Sequence, residues 1–148
     1  MHRSVVSGVL ALSLIVFVGC ADKAKISGTV TFTDGELVTI GQVSMRSADG
    51  ATYHGYLDKN GRFSPGETRD GQPIPCGRYQ VWLSGTETFT EHRSDPNNPD
   101  TATFTPVKTI DDKYTVPDTS PFTAEVKRGG SKTFNFTVER YVDPKKAK

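Results

Sequence analysis

Side chains that could perform catalysis are few and widely separated in this sequence. Past residue 20, a nucleophile and its base would have to be Cys76 with His54 or His92, and nothing in their spacing joins them. A lone thiol in a Pro-Cys-Gly turn is typically inert, because reactivity requires a lowered pKa and access. The sequence also lacks Gly-x-Ser-x-Gly, His-Glu-x-x-His and a phosphate-binding glycine loop. We therefore predict that the protein is not an enzyme, with a thiol enzyme dependent on Cys76 as the alternative.

Oxygen ligands for a metal ion are grouped at two places, at Asp58 and Asn60 and again within residues 94–100. Neither group is followed by the bidentate Glu of a calcium loop at the required spacing. The two cysteines and three histidines do not cluster as zinc ligands do. Both groups of oxygens are therefore interpreted as turns, and we expect neither a metal nor a cofactor.

Aromatic side chains could instead form a binding surface. The apolar positions 79, 81 and 83 alternate along one predicted strand, so Trp82 points to the opposite side, where Tyr53 or Tyr56 could neighbour it. Such a patch could stack on a sugar ring or meet another protein. The other interpretation places Trp82 in a second core face that the long polar segment covers.

Composition narrows the class of protein. The chain has 148 residues, of which 34% are apolar and 24% are charged, and these values fit one ordinary globular domain. Eighteen basic and seventeen acidic side chains give a formal charge of +1, so no overall field attracts nucleic acid. No nucleic-acid partner is expected.

The first 20 residues have a composition of their own. His2 and Arg3 precede an apolar run of about 15 residues, which is shorter than the ~20 needed to span a bilayer. We predict a cleaved signal peptide over residues 1–19. The sequence Phe17-Val18-Gly19-Cys20 resembles a bacterial lipobox.

The lipobox resemblance implies that Cys20 is acylated and becomes the first residue of the mature protein. The protein would then be secreted across the cytoplasmic membrane and held by its lipid, with residues 20–25 as lipidated Cys and spacer. No Asp directly follows Cys20, which favours the outer membrane or its periplasmic face over the inner membrane. The alternatives are an ordinary secreted protein cut near the same place, or a Cys20 thiol paired with Cys76.

The mature chain is predicted to be all-β. Period-two alternation recurs while helical periodicity is absent, and threonine, valine and aromatic residues are abundant. We predict a single antiparallel β-sandwich of about seven strands, prealbumin or Ig-like, over residues 26–142, with a solvated basic tail at 143–148. The expected features are strands at 26–33, 42–47, 51–58 and 79–83, a hairpin turn at 58–61, a polar surface excursion at 85–106, and a terminal hairpin joining 122–126 to 134–138.

Three motifs together resemble carboxypeptidase regulatory-like, or transthyretin-like, domains of small bacterial lipoproteins. They are the opening strand Ile26–Val30, the Asp-x-x-Gly-x-Phe turn Asp58–Phe63, and the Pro-x-Gly-x-Tyr-x-Val segment Pro75–Val81. The chain departs from that pattern at Cys76 and in the long polar segment. Scaffold roles are expected for four residues of these motifs: Asp58, Gly61, Gly77 and Tyr79.

The resemblance implies a non-catalytic, lipid-anchored structural or binding module of the cell envelope. Its partners would be the membrane, through Cys20, and an envelope protein or a glycan. The alternative function is a carbohydrate- or peptide-binding lipoprotein that uses Trp82 and the 86–105 loop.

Overall fold

The computed structural model describes residues 22–68, 70–129 and 132–145. The predicted signal peptide, Cys20 and the last three residues of the basic tail lie outside these ranges. The described residues form eleven strands and two 3₁₀ turns, Pro99–Thr101 and Asp112–Tyr114. The strands are β1 (Lys23–Ala24), β2 (Ser27–Phe32), β3 (Gln42–Ser47), β4 (Thr52–Tyr56), β5 (Arg62–Phe63), β6 (Ile74–Pro75), β7 (Gly77–Ser84), β8 (Thr88–Arg93), β9 (Ala102–Val107), β10 (Phe122–Val126) and β11 (Thr133–Val138).

Seven of these strands build a sandwich, which confirms the predicted all-β class. A four-stranded sheet has the order β10-β7-β3-β4, and a three-stranded sheet has the order β11-β2-β5. Their inner faces supply one hydrophobic core, because side chains alternate between the two faces of each strand. The core includes Val30, Phe32, Phe63, Phe136 and Val138 from the smaller sheet and Val43, Met45, Tyr53, Tyr79, Val81, Leu83, Ala124 and Val126 from the larger.

Aromatic rings link the two sheets. Phe136 of β11 stacks on Phe63 with ring centroids 5.9 Å apart, and its centroid lies 4.9 Å from that of Phe122 on β10. Phe122 in turn stacks on Tyr114 at 5.1 Å. Strands that are distant in sequence are thereby packed through one aromatic cluster, which contributes beyond its buried area.

Two predicted hairpins are wrong. β10 pairs with β7, whereas β11 pairs with β2 in parallel register, so the last two strands belong to different sheets. The turn closed by Asp58 likewise joins β4, which pairs with β3, to β5, which pairs with β2. Alternation shows which face of a strand is buried, and it does not identify the neighbouring strand. In both places the chain crosses from one sheet to the other.

The predicted surface excursion at 85–106 is a hairpin instead. β8 and β9 pair antiparallel over six residues each, and neither pairs with a strand of the sandwich. The prolines of the 94–100 segment lie at the tip, where their missing N–H groups interrupt no ladder. We call the segment from Thr88 to Val107 the arm.

Removing the arm is expected to leave the sandwich folded. No residue of β8 or β9 is buried, so replacing 88–107 with a short Gly-Ser linker should change the free energy of unfolding by less than about 1 kcal/mol. Urea denaturation of the two proteins measures this difference. Loss of a cooperative transition in the shortened chain would show that the arm is part of the folding unit.

The predicted spacer is partly structured. β1 pairs with β6, Ala24 is buried, and the Cys76 N–H donates to the Asp22 carbonyl oxygen at 2.6 Å. The small apolar side chain of Ala24 extends the core, which a polar spacer would not do. The N-terminal segment is therefore held beside the start of β7.

Tyr79 is fixed at the same end of the sandwich. Its ring is buried and meets Tyr53 edge-on at 5.8 Å, while its hydroxyl donates to the Pro75 carbonyl oxygen at 2.5 Å. Burial raises the pKa of Tyr79 from 10.0 to about 12. A raised folded-state pKa means that the neutral hydroxyl stabilises the fold fully below pH 10 and that this contribution is lost as pH rises through 12.

A Tyr79→Phe variant should therefore be less stable by about 1 kcal/mol at neutral pH, because its hydrogen bond is gone. The difference from the natural protein should shrink between pH 10 and 12. Denaturant midpoints measured across that range test the expectation. An unchanged difference at all pH values would contradict it.

Candidate functional site

The outer face of the four-stranded sheet brings together polar and aromatic side chains from neighbouring strands. Strand register places three rows next to each other, and the rows belong to β4, β3 and β7. They consist of Thr52, His54 and Tyr56, then Arg46, Ser44 and Gln42, then Gln80, Trp82 and Ser84.

Trp82 lies in the middle of this face and is half-buried. The guanidinium of Arg46 is 5.8 Å from the centroid of its indole ring. Ser44 is the register partner of Trp82 and is buried, and its hydroxyl is hydrogen-bonded to Nδ1 of His54 at 2.8 Å. His54 is therefore part of the hydrogen bonding of the sheet face.

The predicted aromatic group is not assembled as proposed. Tyr53 is on the inner face of β4, only 7% exposed, and so cannot neighbour Trp82. Tyr56 does share the outer face and is 66% exposed, although β3 lies between its strand and that of Trp82. The period-two pattern of β4 could have separated the two tyrosines, because they are three residues apart and must face opposite ways.

The residues expected to form the turns have different roles. One carboxylate oxygen of Asp58 accepts hydrogen bonds from the backbone N–H groups of Asn60 at 2.7 Å and Arg62 at 2.9 Å. The bond from Arg62 is the main cause that holds the pKa of Asp58 below its ordinary value. Gly61 has φ of +65°, and an added Cβ would lie 2.9 Å from the Val30 carbonyl oxygen.

Gly77 is expected from the sequence to let the chain reverse without a Cβ clash, and this expectation is wrong. It is the first residue of β7, its φ lies outside the left-handed region, and a Cβ placed there would meet nothing within 4 Å. The chain bends at Cys76, directly before it.

Side chains with potential for catalysis or metal binding stand apart. Cys76 is partly buried beside Asp22, and His92 is on the arm. Among the described residues, no group of three or more His, Cys, Asp or Glu is placed to hold a metal ion. No helix within the described ranges has the length and apolar character to cross a membrane.

A cleft on the outer face was not anticipated from the sequence. It has a volume of about 690 Å³ and opens between β3, β7 and β10. Arg46 and Arg78 supply positive charge, while Gln80, Thr123 and Glu125 complete its polar side. Alternation along β7 already placed residues 78 and 80 outward, but the pairing with β3 and β10 was needed to bring these side chains together.

The arm presents a second unanticipated surface. Its register puts Phe89, Phe104 and Pro106 on one face, and the two phenylalanines are 66% and 62% exposed. The opposite face carries threonines, including Thr90 and Thr105. The arm therefore exposes large aromatic side chains on a ribbon with no covering element among the described residues.

Comparison with known proteins adds little to these observations. No protein-family model matches the chain, and no curated protein matches it. A solved structure that it resembles is that of the major pilin subunit of Bacillus cereus, at 16% sequence identity and a TM-score of 0.44. The match covers 79% of this chain and 29% of the pilin.

Proposed function

We propose that the protein is a non-catalytic module of the bacterial cell envelope, tethered through acyl chains on Cys20, whose arm contacts another envelope protein. The observation that carries the proposal is the placement of the N-terminal segment and the arm at opposite ends of β7. A tether at one end would leave the arm extended away from the membrane.

The two ends are defined by backbone contacts. Asp22 and β1 lie against Cys76 and β6, directly before the first residue of β7. Four residues after β7 ends at Ser84, β8 begins the arm. A strand of eight residues spans about 26 Å, so the two ends of β7 that lead to the N-terminal segment and to the arm are about that far apart.

The chemistry of the arm suits a protein partner. An isolated two-stranded hairpin has two free edges, which can accept a further strand, and its exposed aromatic face can be buried on a partner. The arm contains three carboxylates, on Glu91, Asp95 and Asp100, and one guanidinium, on Arg93, so its side chains have an excess of negative charge. A partner with a basic, partly apolar surface would complement it.

A sugar or peptide ligand at the outer sheet face is the second candidate. It is supported by the partial exposure of Trp82 and by the neighbouring Arg46. The first candidate requires the arm to retain its partner, and the second requires Trp82. Because the arm and Trp82 are on different elements, variants can separate the two candidates.

The test uses a double variant, Phe89→Ser with Phe104→Ser, and Trp82→Ala as its counterpart. In-cell crosslinking from a photoreactive residue at position 93 should give a discrete product in the natural protein that is absent from the double variant. The Trp82→Ala protein should keep that product. If Trp82→Ala abolishes retention on a glycan or peptide while the double variant does not, the second candidate replaces the first.

A further inference from the structure

The cleft between β3, β7 and β10 contains an arginine, Arg78, whose side chain has no partner among the described residues. Arg78 is exposed at the start of β7, and its guanidinium makes no hydrogen bond or ion pair with another described residue. Glu125 is its register partner on β10, yet the Glu125 carboxylate pairs with Lys127 at 3.2 Å. The five N–H donors of the Arg78 guanidinium are thus directed at solvent in the cleft.

Arg46 provides a second guanidinium on the neighbouring strand. It is the register partner of Gln80, which makes Arg46 and Arg78 diagonal neighbours, and the Cβ atoms of such pairs are somewhat less than about 7–8 Å apart. Its ion pair with Asp118 is 3.3 Å long, and the Asp118 side chain is 86% exposed. Ion pairs this exposed contribute little, so an incoming anion can replace Asp118.

Two guanidinium groups on one cleft favour a tetrahedral anion, once the Arg46 side chain, which lies beside Trp82, turns toward Arg78. A carboxylate has two oxygens and is satisfied by one bidentate arginine, whereas a phosphate has enough oxygens for both. The Thr123 hydroxyl also lines the cleft and can donate to a third oxygen. Glu125 opposes an anion, but its carboxylate is paired with Lys127, whereas Asp118 gives up Arg46 to the anion and its exposed carboxylate returns to solvent.

We propose that this cleft binds a phosphate group through Arg46 and Arg78. The source would be either the headgroup of an anionic phospholipid or a soluble phosphate compound. The position of the cleft supports the phospholipid as the source, and this argument rests on the proposed function. Arg78 is two residues from Cys76, whose N–H contacts Asp22 at the tethered end. A cleft at that end would face the lipid headgroups.

Trp82 provides the measurement, because it is the single tryptophan of the chain and lies beside Arg46. The full processed protein in neutral detergent is titrated separately with inorganic phosphate, short-chain phosphatidylglycerol and short-chain phosphatidylcholine. We expect a saturable change in Trp82 fluorescence, which Arg78→Gln should weaken at least about tenfold because a charge-assisted contact is lost. Arg78→Lys should have an intermediate effect, since lysine keeps the positive charge but cannot form the bidentate hydrogen bonds of a guanidinium.

Arg62→Gln is the matched control, an exposed arginine on the other sheet, and it should bind as the natural protein does. If inorganic phosphate and phosphatidylglycerol both saturate the signal, the cleft is a phosphate site and the phosphate group alone is sufficient for binding. Saturation by phosphatidylglycerol alone supports it with the lipid as source. No saturable change with either compound, or equal affinity in Arg78→Gln, overturns the proposal. The mass of the N-terminal peptide is measured on the same sample, so a missing tether is recognised separately from an empty cleft.

Discussion

The N-terminal peptide of the natural protein is expected to begin at Cys20 and to carry the mass of two or more fatty acyl chains, and Cys20→Ser is expected to remove that mass. Two chains anchor a protein stably because each buried methylene contributes about 0.8 kcal/mol, whereas one chain gives only marginal binding. Mass spectrometry of the purified proteins checks the peptide. Sedimentation with phospholipid vesicles should retain the natural protein and release the processed Cys20→Ser chain.

Cys76→Ser is the control for this experiment. Cys76 lies in the folded body beside Asp22, so the variant should keep the acylated peptide and its binding to vesicles. The natural protein should also show one free thiol after denaturation, that of Cys76, because an acylated Cys20 cannot form a disulfide with it. An unmodified N-terminal peptide would refute the tether, and the further absence of any free thiol would favour the Cys20–Cys76 pair.

Local alternation predicted the strands that face the core. Along β2, Val30 and Phe32 are buried while Thr29 and Thr31 lie on the outer side, as the sequence pattern indicates. The same pattern predicts β3 with the bounds that the structure has, Gln42–Ser47. Where a strand has one apolar face, its burial follows from its own residues.

Strand partners could not be predicted in the same way. β10 and β11 carry the alternation of a hairpin and flank a turn, but Phe122 and Phe136 both reach the core from different sheets. Pairing β11 in parallel with β2 depends on contacts more than 100 residues apart, such as the Thr29 hydroxyl donating to Asn135. No local signal contains such information.

The candidate site shows the same division. The outward direction of Trp82 followed from alternation, whereas its contact with Arg46 required the register between β3 and β7. The sequence predicts an irregular excursion here, because the segment is almost entirely polar and two prolines interrupt residues 94–100. Those two prolines lie at the tip, and the flanking segments are rich in threonine and phenylalanine, which favour strands.

Gly28→Ala is expected to be the most destabilising glycine-to-alanine change among the described residues. Gly28 lies in β2 between β11 and β5, and an added Cβ would stand 1.7 Å from the Phe134 carbonyl oxygen and 2.6 Å from the Phe63 ring. The ring can shift, but the carbonyl belongs to the parallel ladder and moves only if that pairing is broken. We expect a loss of at least about 3 kcal/mol in the free energy of unfolding, measured from urea midpoints.

Gly77→Ala is the matched control, because its Cβ would meet nothing within 4 Å. Its effect should lie between zero and about 1 kcal/mol of stabilisation, since alanine reduces the freedom of the unfolded chain. Both glycines belong to the motifs that resemble carboxypeptidase regulatory-like domains, so sequence alone gives them equal weight. If the two variants lose stability equally, close packing between β2 and β11 is not the reason for glycine at position 28. The parallel pairing of these two strands would then have to be reconsidered.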